Sequence, residues 1–598
     1  MSLISELKRR NVIRVALLYL VAAWVILQVA ELLFDVLKLP DWTSRLVLGL
    51  LILGFPLSLT FSWVYELTPE GLKREHEIDR NQSITHATAR KLDVVVGVLL
   101  VVAIGMLVFD RYVERKPAQV TADAQTAAPS VAPPRARSGP ASIAVLPFVN
   151  MSDDKANDYF SDGLSEELLN VLAKVQGLRV IARTSSFAFK GKDATIADVA
   201  KALGVDHVLE GSVRKSGDRV RITAQLIRTA DSSHLWSETY DRTLQDVFAI
   251  QDEISGEVVD ALKVRLLDQN SSKAEVGGTT NARAYEAYLQ GLYSANQGER
   301  EATLRKALAE FDQAIAEDPN YARAHAGRAR TLGSLASNGY EPFESGFGSA
   351  REAAERARAL EPELAEAWLR LAYITYVVDL DIAKARGQYD RALALDPGSA
   401  EIQSAYANFA VGIGQTEKAI EVGSKAVQLD PIAPRPHVAL SFAYYGARRY
   451  VEAIAVARRA ERLDPNYPTV HGTIGSALLE TGDLEGARAE FEKEPIEWQR
   501  LTGLAIVAAK LGHAEQARAG LATALGRLGE AAAYQYAEIN AQLGDHDEAF
   551  RWLGVARRIK DPGLSFVLVD PLMDPLREDP RYRKLTHELG LDELDRRG

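Results

Sequence analysis

Three carboxylates stand close together at Asp162, Glu166 and Glu167, and paired carboxylates are what general acid–base catalysis uses. They fall at the expected start of an amphipathic helix. There Ser161 or Ser165 can cap free backbone amides while acidic side chains complement the helix dipole, and this structural role outweighs the catalytic one. His207 and His234 open two neighbouring expected strands and could approach one another. Without a third ligand they read as strand-end residues rather than a metal site. Phe189-Lys-Gly-Lys-Asp193 is too short for a phosphate loop and reads as a turn, and no nucleophile-elbow, zinc-protease or dinucleotide fingerprint appears. The chain has no cysteine, which excludes thiolate catalysis, disulfides and zinc–thiolate sites. The sequence therefore predicts a protein that is not an enzyme and takes no cofactor or metal.

The elements that would position these residues alternate between strand and helix. Ser142 to Val149 is β-rich, Ser161 to Val175 an amphipathic helix, Leu178 to Ala182 a strand and Thr195 to Leu203 a helix. Asp206 to Arg214, Arg219 to Arg228 and Ser233 to Tyr240 follow as strands, with Ser216-Gly217-Asp218 as a hairpin turn, before a closing helix from Val247 to Leu267. These residues form an expected α/β domain over 142–268.

Beyond it the chain keeps a regular beat. Asp-Pro or Glu-Pro recurs at 318, 361, 396, 430, 464, 494 and 561, and the prolines from 362 to 465 are spaced 35, 34 and 34. Within a period, small residues such as Ala385, Ala392, Ala419, Ala426, Ala453 and Ala460 let paired helices touch closely, and proline stops the second helix. The pattern closely resembles the tetratricopeptide repeat, in about eight helix pairs over 282–562 with a terminal cap over 563–598. That resemblance implies a superhelical solenoid whose concave face binds proteins or peptides. Carried onto this chain, it makes Arg370, Tyr373, Tyr376, Asn408, Arg435, Phe442 and Tyr445 the expected groove residues.

Ahead of the α/β domain lie three apolar runs, about 13–34, 46–65 and 92–109, each near the roughly 20 residues that span a bilayer. Lys8, Arg9, Arg10 and Arg14 flanking the start of the first, and Lys73, Arg74, Arg80, Arg90 and Lys91 between the second and third, place those segments inside and the C-terminal domains outside. A linker rich in Ala and Pro follows over 117–141. The first module resembles one that precedes TolB-like and TPR regions in bacterial proteins. Ile143 to Asn150, Phe160 to Leu168, Val208 to Arg214 and Leu235 to Asp241 resemble the TolB-like amino-terminal domain, which implies the bacterial envelope.

The expected fold is thus multidomain: three transmembrane helices, a small α/β TolB-like domain and an all-α TPR solenoid. The expected function is an inner-membrane, multi-pass scaffold whose soluble part is periplasmic and binds partner proteins through the groove. The alternative is a transmembrane signal transducer related to TolB-like/TPR proteins that carry DNA-binding or cyclase output domains. A net charge of −11 argues against nucleic acid as a partner, and self-association is left open.

Overall fold

The computed structural model describes residues 19, 23, 51, 54, 55, 65–68, 71–74, 141–152, 154–175, 177–243, 246–262, 278–298 and 300–591. Two units are distinguished, 1–135 and 136–598. In the first, β1 (Tyr65–Thr68) and β2 (Gly71–Arg74) form an antiparallel ladder.

The expected membrane architecture is corrected. A crossing helix needs about 20 apolar residues, and among the described residues no helix is long and apolar enough to cross a membrane. The three apolar runs lie almost wholly outside the described residues, as does the linker, and Tyr65, expected to end the second run, begins β1. The fold that is described is a small α/β domain followed by a helical repeat region. A multi-pass inner-membrane location is not supported by it.

The α/β sheet runs β5-β3-β6-β7-β8, with β4 also paired to β6. Its strands are β3 (Ala141–Val145), β4 (Val149–Asn150), β5 (Leu178–Val180), β6 (His207–Ser216), β7 (Arg219–Arg228) and β8 (Ser233–Thr243). β3 is parallel to β5 and β6, and the last three strands form an antiparallel meander. β7 shows why one face is buried: Val220, Ile222, Ala224 and Leu226 alternate with more polar neighbours and enter the core. α1 (Asp158–Ala173) and α4 (Val247–Leu262) cover that face through Leu164, Leu168, Ile250, Ile254 and Val258. The opposite face carries α3 (Ile196–Leu203), packed by Val199 and Leu203 on Ala144 and Val208. Thr195 and Asp198 close its start as a capping box, and Gly204 ends it at φ 64°, a conformation that favours glycine.

The principal core continues directly into the repeats, through Tyr285, Tyr288, Leu289, Phe311 and Tyr321. Eight consecutive helix pairs are described. They are α5 (Ala282–Ala295) with α6 (Glu301–Glu317), α7 (Ala322–Ser337) with α8 (Phe343–Leu360), α9 (Ala365–Val377) with α10 (Ile382–Leu395), and α11 (Ala400–Gly412) with α12 (Thr416–Leu429). There follow α13 (Pro434–Gly446) with α14 (Tyr450–Leu463), α15 (Val470–Thr481) with α16 (Leu484–Lys493), α17 (Glu497–Lys510) with α18 (Ala514–Leu528), and α19 (Ala533–Leu543) with α20 (His546–Ile559). The acidic residue before six of the seven repeat prolines is the helix C-cap: Asp318, Glu361, Asp396, Asp430 and Asp464 donate their N–H to the carbonyls of Ala314, Ala357, Ala392, Ala426 and Ala460, and Glu494 to that of Phe491, whereas Asp561 follows the C-cap Lys560 and caps the next turn instead. Close packing explains the small residues. A Cβ on Gly291 or Gly327 would stand 2.7 or 2.6 Å from the Phe311 ring.

Two 3₁₀ turns, Pro562–Phe566 and Pro571–Leu576, precede α21 (Pro580–Glu588). The expected cap does more than close the last pair. It reaches back onto first helices of central pairs: the Tyr376 hydroxyl of α9 donates to the Ser565 carbonyl at 3.0 Å, and Phe566 meets Phe442 of α13 with ring centroids 5.5 Å apart.

Candidate functional site between the α/β domain and the repeats

The carboxylates of α1 lie inside the helix, because it starts at Asp158 with Asn157 at its cap. The capping expected of Ser161 or Ser165 is therefore corrected. The Ser165 hydroxyl instead accepts from the Phe148 N–H and donates to the Ser161 carbonyl, both at 2.8 Å. Asp162 accepts from Lys190 Nζ at 2.7 Å, and burial raises its pKa against the pull of that lysine. Glu166 accepts from Arg183 Nε at 2.7 Å. Glu167, wholly buried, takes two hydrogen bonds from the Arg323 guanidinium of α7, one of them 3.0 Å from Nη2 to Oε1. Each carboxylate has its own basic partner, so no two form an acid–base pair. His207 and His234 are likewise separated, because β7 lies between their strands: His207 pairs with Arg228 and His234 with Ile227.

A short helix not expected from the sequence, α2 (Arg183–Phe187), fixes the α/β domain to the fourth pair. Its Ser185 donates N–H and hydroxyl to Asp430 Oδ1 at 2.9 and 2.6 Å, and its hydroxyl accepts from the Ile432 N–H at 3.1 Å. Beside it the Ala182 N–H donates to the Leu429 carbonyl at 2.7 Å. Burial raises the pKa of Asp430 even though Ser185 favours its charged form.

Between these two attachments lies a cavity of about 1080 Å³, lined by α1, α2 and the first helices of successive pairs. Arg330, Arg370 and Arg435 converge there on Glu401. Burial disfavours the Glu401 charge, but the three guanidinium groups outweigh it and hold the carboxyl well below its usual range. Burial, with Arg370 and Arg435 nearby, pushes Arg330 down, while Glu401 and Glu166 oppose this. At another part of the wall burial, reinforced by Glu366, pushes Asp396 up to about 6.

Of the expected groove residues, Arg370, Asn408, Arg435 and Phe442 line this cavity together. Arg370 Nη2 donates to Glu401 Oε1 at 2.8 Å, while Asn408 and Arg435 are exposed. Tyr376 is buried against the C-terminal segment, Tyr445 packs on Phe442 and Tyr450, and Tyr373 stays 40% exposed beside Phe347. Glu401, Arg330, Ser185 and Asp430 escaped the sequence reading. The repeat period could have found Arg330 and Glu401, which sit on first helices as Arg370 does.

Glu461, His471 and Glu490 are spaced closely enough to suggest a cation site. Glu490 is already satisfied by Arg458 Nη2 and Lys493 Nζ at 3.0 Å each and by His471 Nδ1 at 2.8 Å. The cluster reads as an ion-pair network.

Comparison with known proteins agrees with this division. The tetratricopeptide repeat model matches residues 376–434 and 439–499, and the chain carries TPR repeats. Residues 139–256 match the second domain of HilA/YgeH-like transcriptional regulators. A protein of Rhizobium meliloti (strain 1021) named "Putative adenylate cyclase 3" is 43% identical over 194 residues, 32% of this chain and 33% of its own length. The chain thus spans about a third of that curated relative. Its printed name overturns the expectation that enzymatic activity is excluded. Among solved structures, a thermophilic TPR protein of Thermus thermophilus is 22% identical, covering 32% of this chain and 99% of its own at TM-score 0.27. PilF of Pseudomonas aeruginosa is 20% identical, covering 38% and 98% at TM-score 0.29.

Proposed function

We propose that this chain is a regulatory scaffold that binds a partner protein or peptide along the first-helix face of its repeats and relates that binding to the α/β domain. The observation that carries the reading is that Arg370, Asn408, Arg435 and Phe442 line one cavity together with α1 and α2. A partner seated there touches both parts of the unit. Guanidinium, amide and aromatic groups suit peptide recognition, through hydrogen bonds to the backbone and burial of apolar area. The regulator-type match over 139–256 supports the regulatory half of the reading and is preferred here to the TolB-like resemblance of the same residues.

A photo-crosslinking residue at Asn408 tests this, with one at Val451, 72% exposed on α14, as control. A protein crosslinked at Asn408, absent at Val451 and lost on Arg435→Ala, is the expected result. Equal yields at both sites would defeat the reading.

The R. meliloti relative favours a second reading, in which the chain serves cyclic-nucleotide signalling. Incubating the purified full chain with ATP and a divalent cation and measuring cyclic AMP decides whether it makes the nucleotide itself.

A further inference from the structure

The geometry points to a binding site for a small phosphate monoester in the cavity between the α/β domain and the repeats, centred on Arg330, Arg370 and Arg435. This site goes beyond the partner-binding reading and is measured without any partner.

A guanidinium carries five N–H groups in a rigid fork and is never an acceptor. Arg370 spends one hydrogen bond on Glu401 Oε1 at 2.8 Å, and its Nε is buried with no partner. Arg330 makes one long bond, 3.4 Å, to Asn296 Oδ1. Among the described residues Arg435 makes none, and it is exposed, so the group is reachable from solvent. Other buried polar atoms of the same wall, Ser404 Oγ and Gln499 Oε1, also lack partners. Most of the donors that converge here are therefore unspent, and buried donors left unmade are costly.

Charge agrees with the donor count. Arg183 is matched by Glu166 at 2.7 Å and Arg323 by Glu167. The remaining three guanidinium groups face Glu401, with Asp430 near Arg435 and held by Ser185. At Glu401 three guanidinium groups thus act on one carboxylate, within a lining that as a whole carries five arginines and five carboxylates. A tetrahedral dianion offers the many acceptors and the bidentate geometry that arginine forks match. Leu292, Leu369, Phe442, Trp498 and Phe566 add apolar surface to the lining, and about 1080 Å³ leaves room for the organic part of a monoester.

Calorimetric titration of the purified full chain at low salt tests the site with two probes, inorganic phosphate and adenosine 5′-monophosphate, against chloride at matched ionic strength. Saturable binding is expected with either probe. Tighter binding of the nucleotide assigns the apolar lining residues to its organic part, and equal binding assigns the site to the phosphate group alone. Arg370→Gln and Arg435→Gln should each weaken binding about tenfold or more, while Arg391→Gln, at an exposed position of α10, should leave it unchanged. Glu401→Gln removes the internal competitor and should tighten binding while lowering the melting temperature of the unliganded chain. A merely structural glutamate would give the second effect without the first. No saturable binding of either probe to the wild type and Glu401→Gln, or unchanged binding in an Arg370→Gln/Arg435→Gln double variant that still melts cooperatively, would overturn the site.

Discussion

Arg323 and Glu167 lie 156 positions apart and form a buried ion pair in which the arginine also sits 5.4 Å above the Tyr288 ring. The pair joins α1 of the α/β domain to α7 of the repeats. Removing one partner leaves the other charged and buried, at a cost of about 3–5 kcal/mol. Glu167→Gln should therefore lower the midpoint of urea unfolding markedly. An Arg323→Met/Glu167→Leu double variant should recover most of the loss, which a double-mutant cycle would measure.

Ser185 supplies two donors to Asp430 at 2.9 and 2.6 Å, and only the second comes from its side chain. Ser185→Ala leaves that carboxylate with one fewer donor, a loss of about 1–3 kcal/mol. Hydrogen exchange should show it locally, as faster exchange of the Ala182 N–H that donates to Leu429.

The Tyr376 hydroxyl holds the C-terminal segment through the Ser565 carbonyl. Tyr376→Phe keeps the ring and removes this bond, so the cost should be about 1 kcal/mol. Protease cleavage within 562–576 should become faster, with little change in the α/β domain.

Asp396 is pushed up to about 6 by burial and by Glu366. Because its folded pKa is raised, folding holds its proton more tightly than the unfolded chain does. Its contribution is fully present below the ordinary carboxylate pKa and is lost as pH rises through about 6. Stability should fall by about 1–2 kcal/mol over that window, allowing for its partial exposure. Asp396→Asn, which can still accept from the Gly398 N–H, should flatten this part of the stability–pH curve.

The α-helical repeats were legible because their signals are local: each acidic cap sits beside its proline, and the alanines recur at helix spacing. The meander was legible from alternation along β7. The attachments between the two parts were not. Ser185 meets Asp430 across 245 positions, and α2 is five residues long, too short to show a period. His207 and His234 read as starting neighbouring strands, a spatial order that alternation within each strand does not specify. Here β6 and β8 flank β7, so their starts are a strand apart. The TPR resemblance implies Arg370 and Arg435 as groove residues, whereas the carboxylate that faces them, Glu401, lies outside the positions it names.

The hold of Ser565 on Tyr376 also bears on how the chain is made. A solenoid whose repeats touch only their neighbours can fold pair by pair as it leaves the ribosome. Here a face of α9 waits for residues 189 positions downstream, about 10–40 s of synthesis at ordinary rates. During each round of translation the Tyr376 hydroxyl stands without its Ser565 partner for that interval, and Phe442 waits for Phe566 over a shorter one, so the nascent chain, rather than the finished protein, is the form most exposed to chaperones.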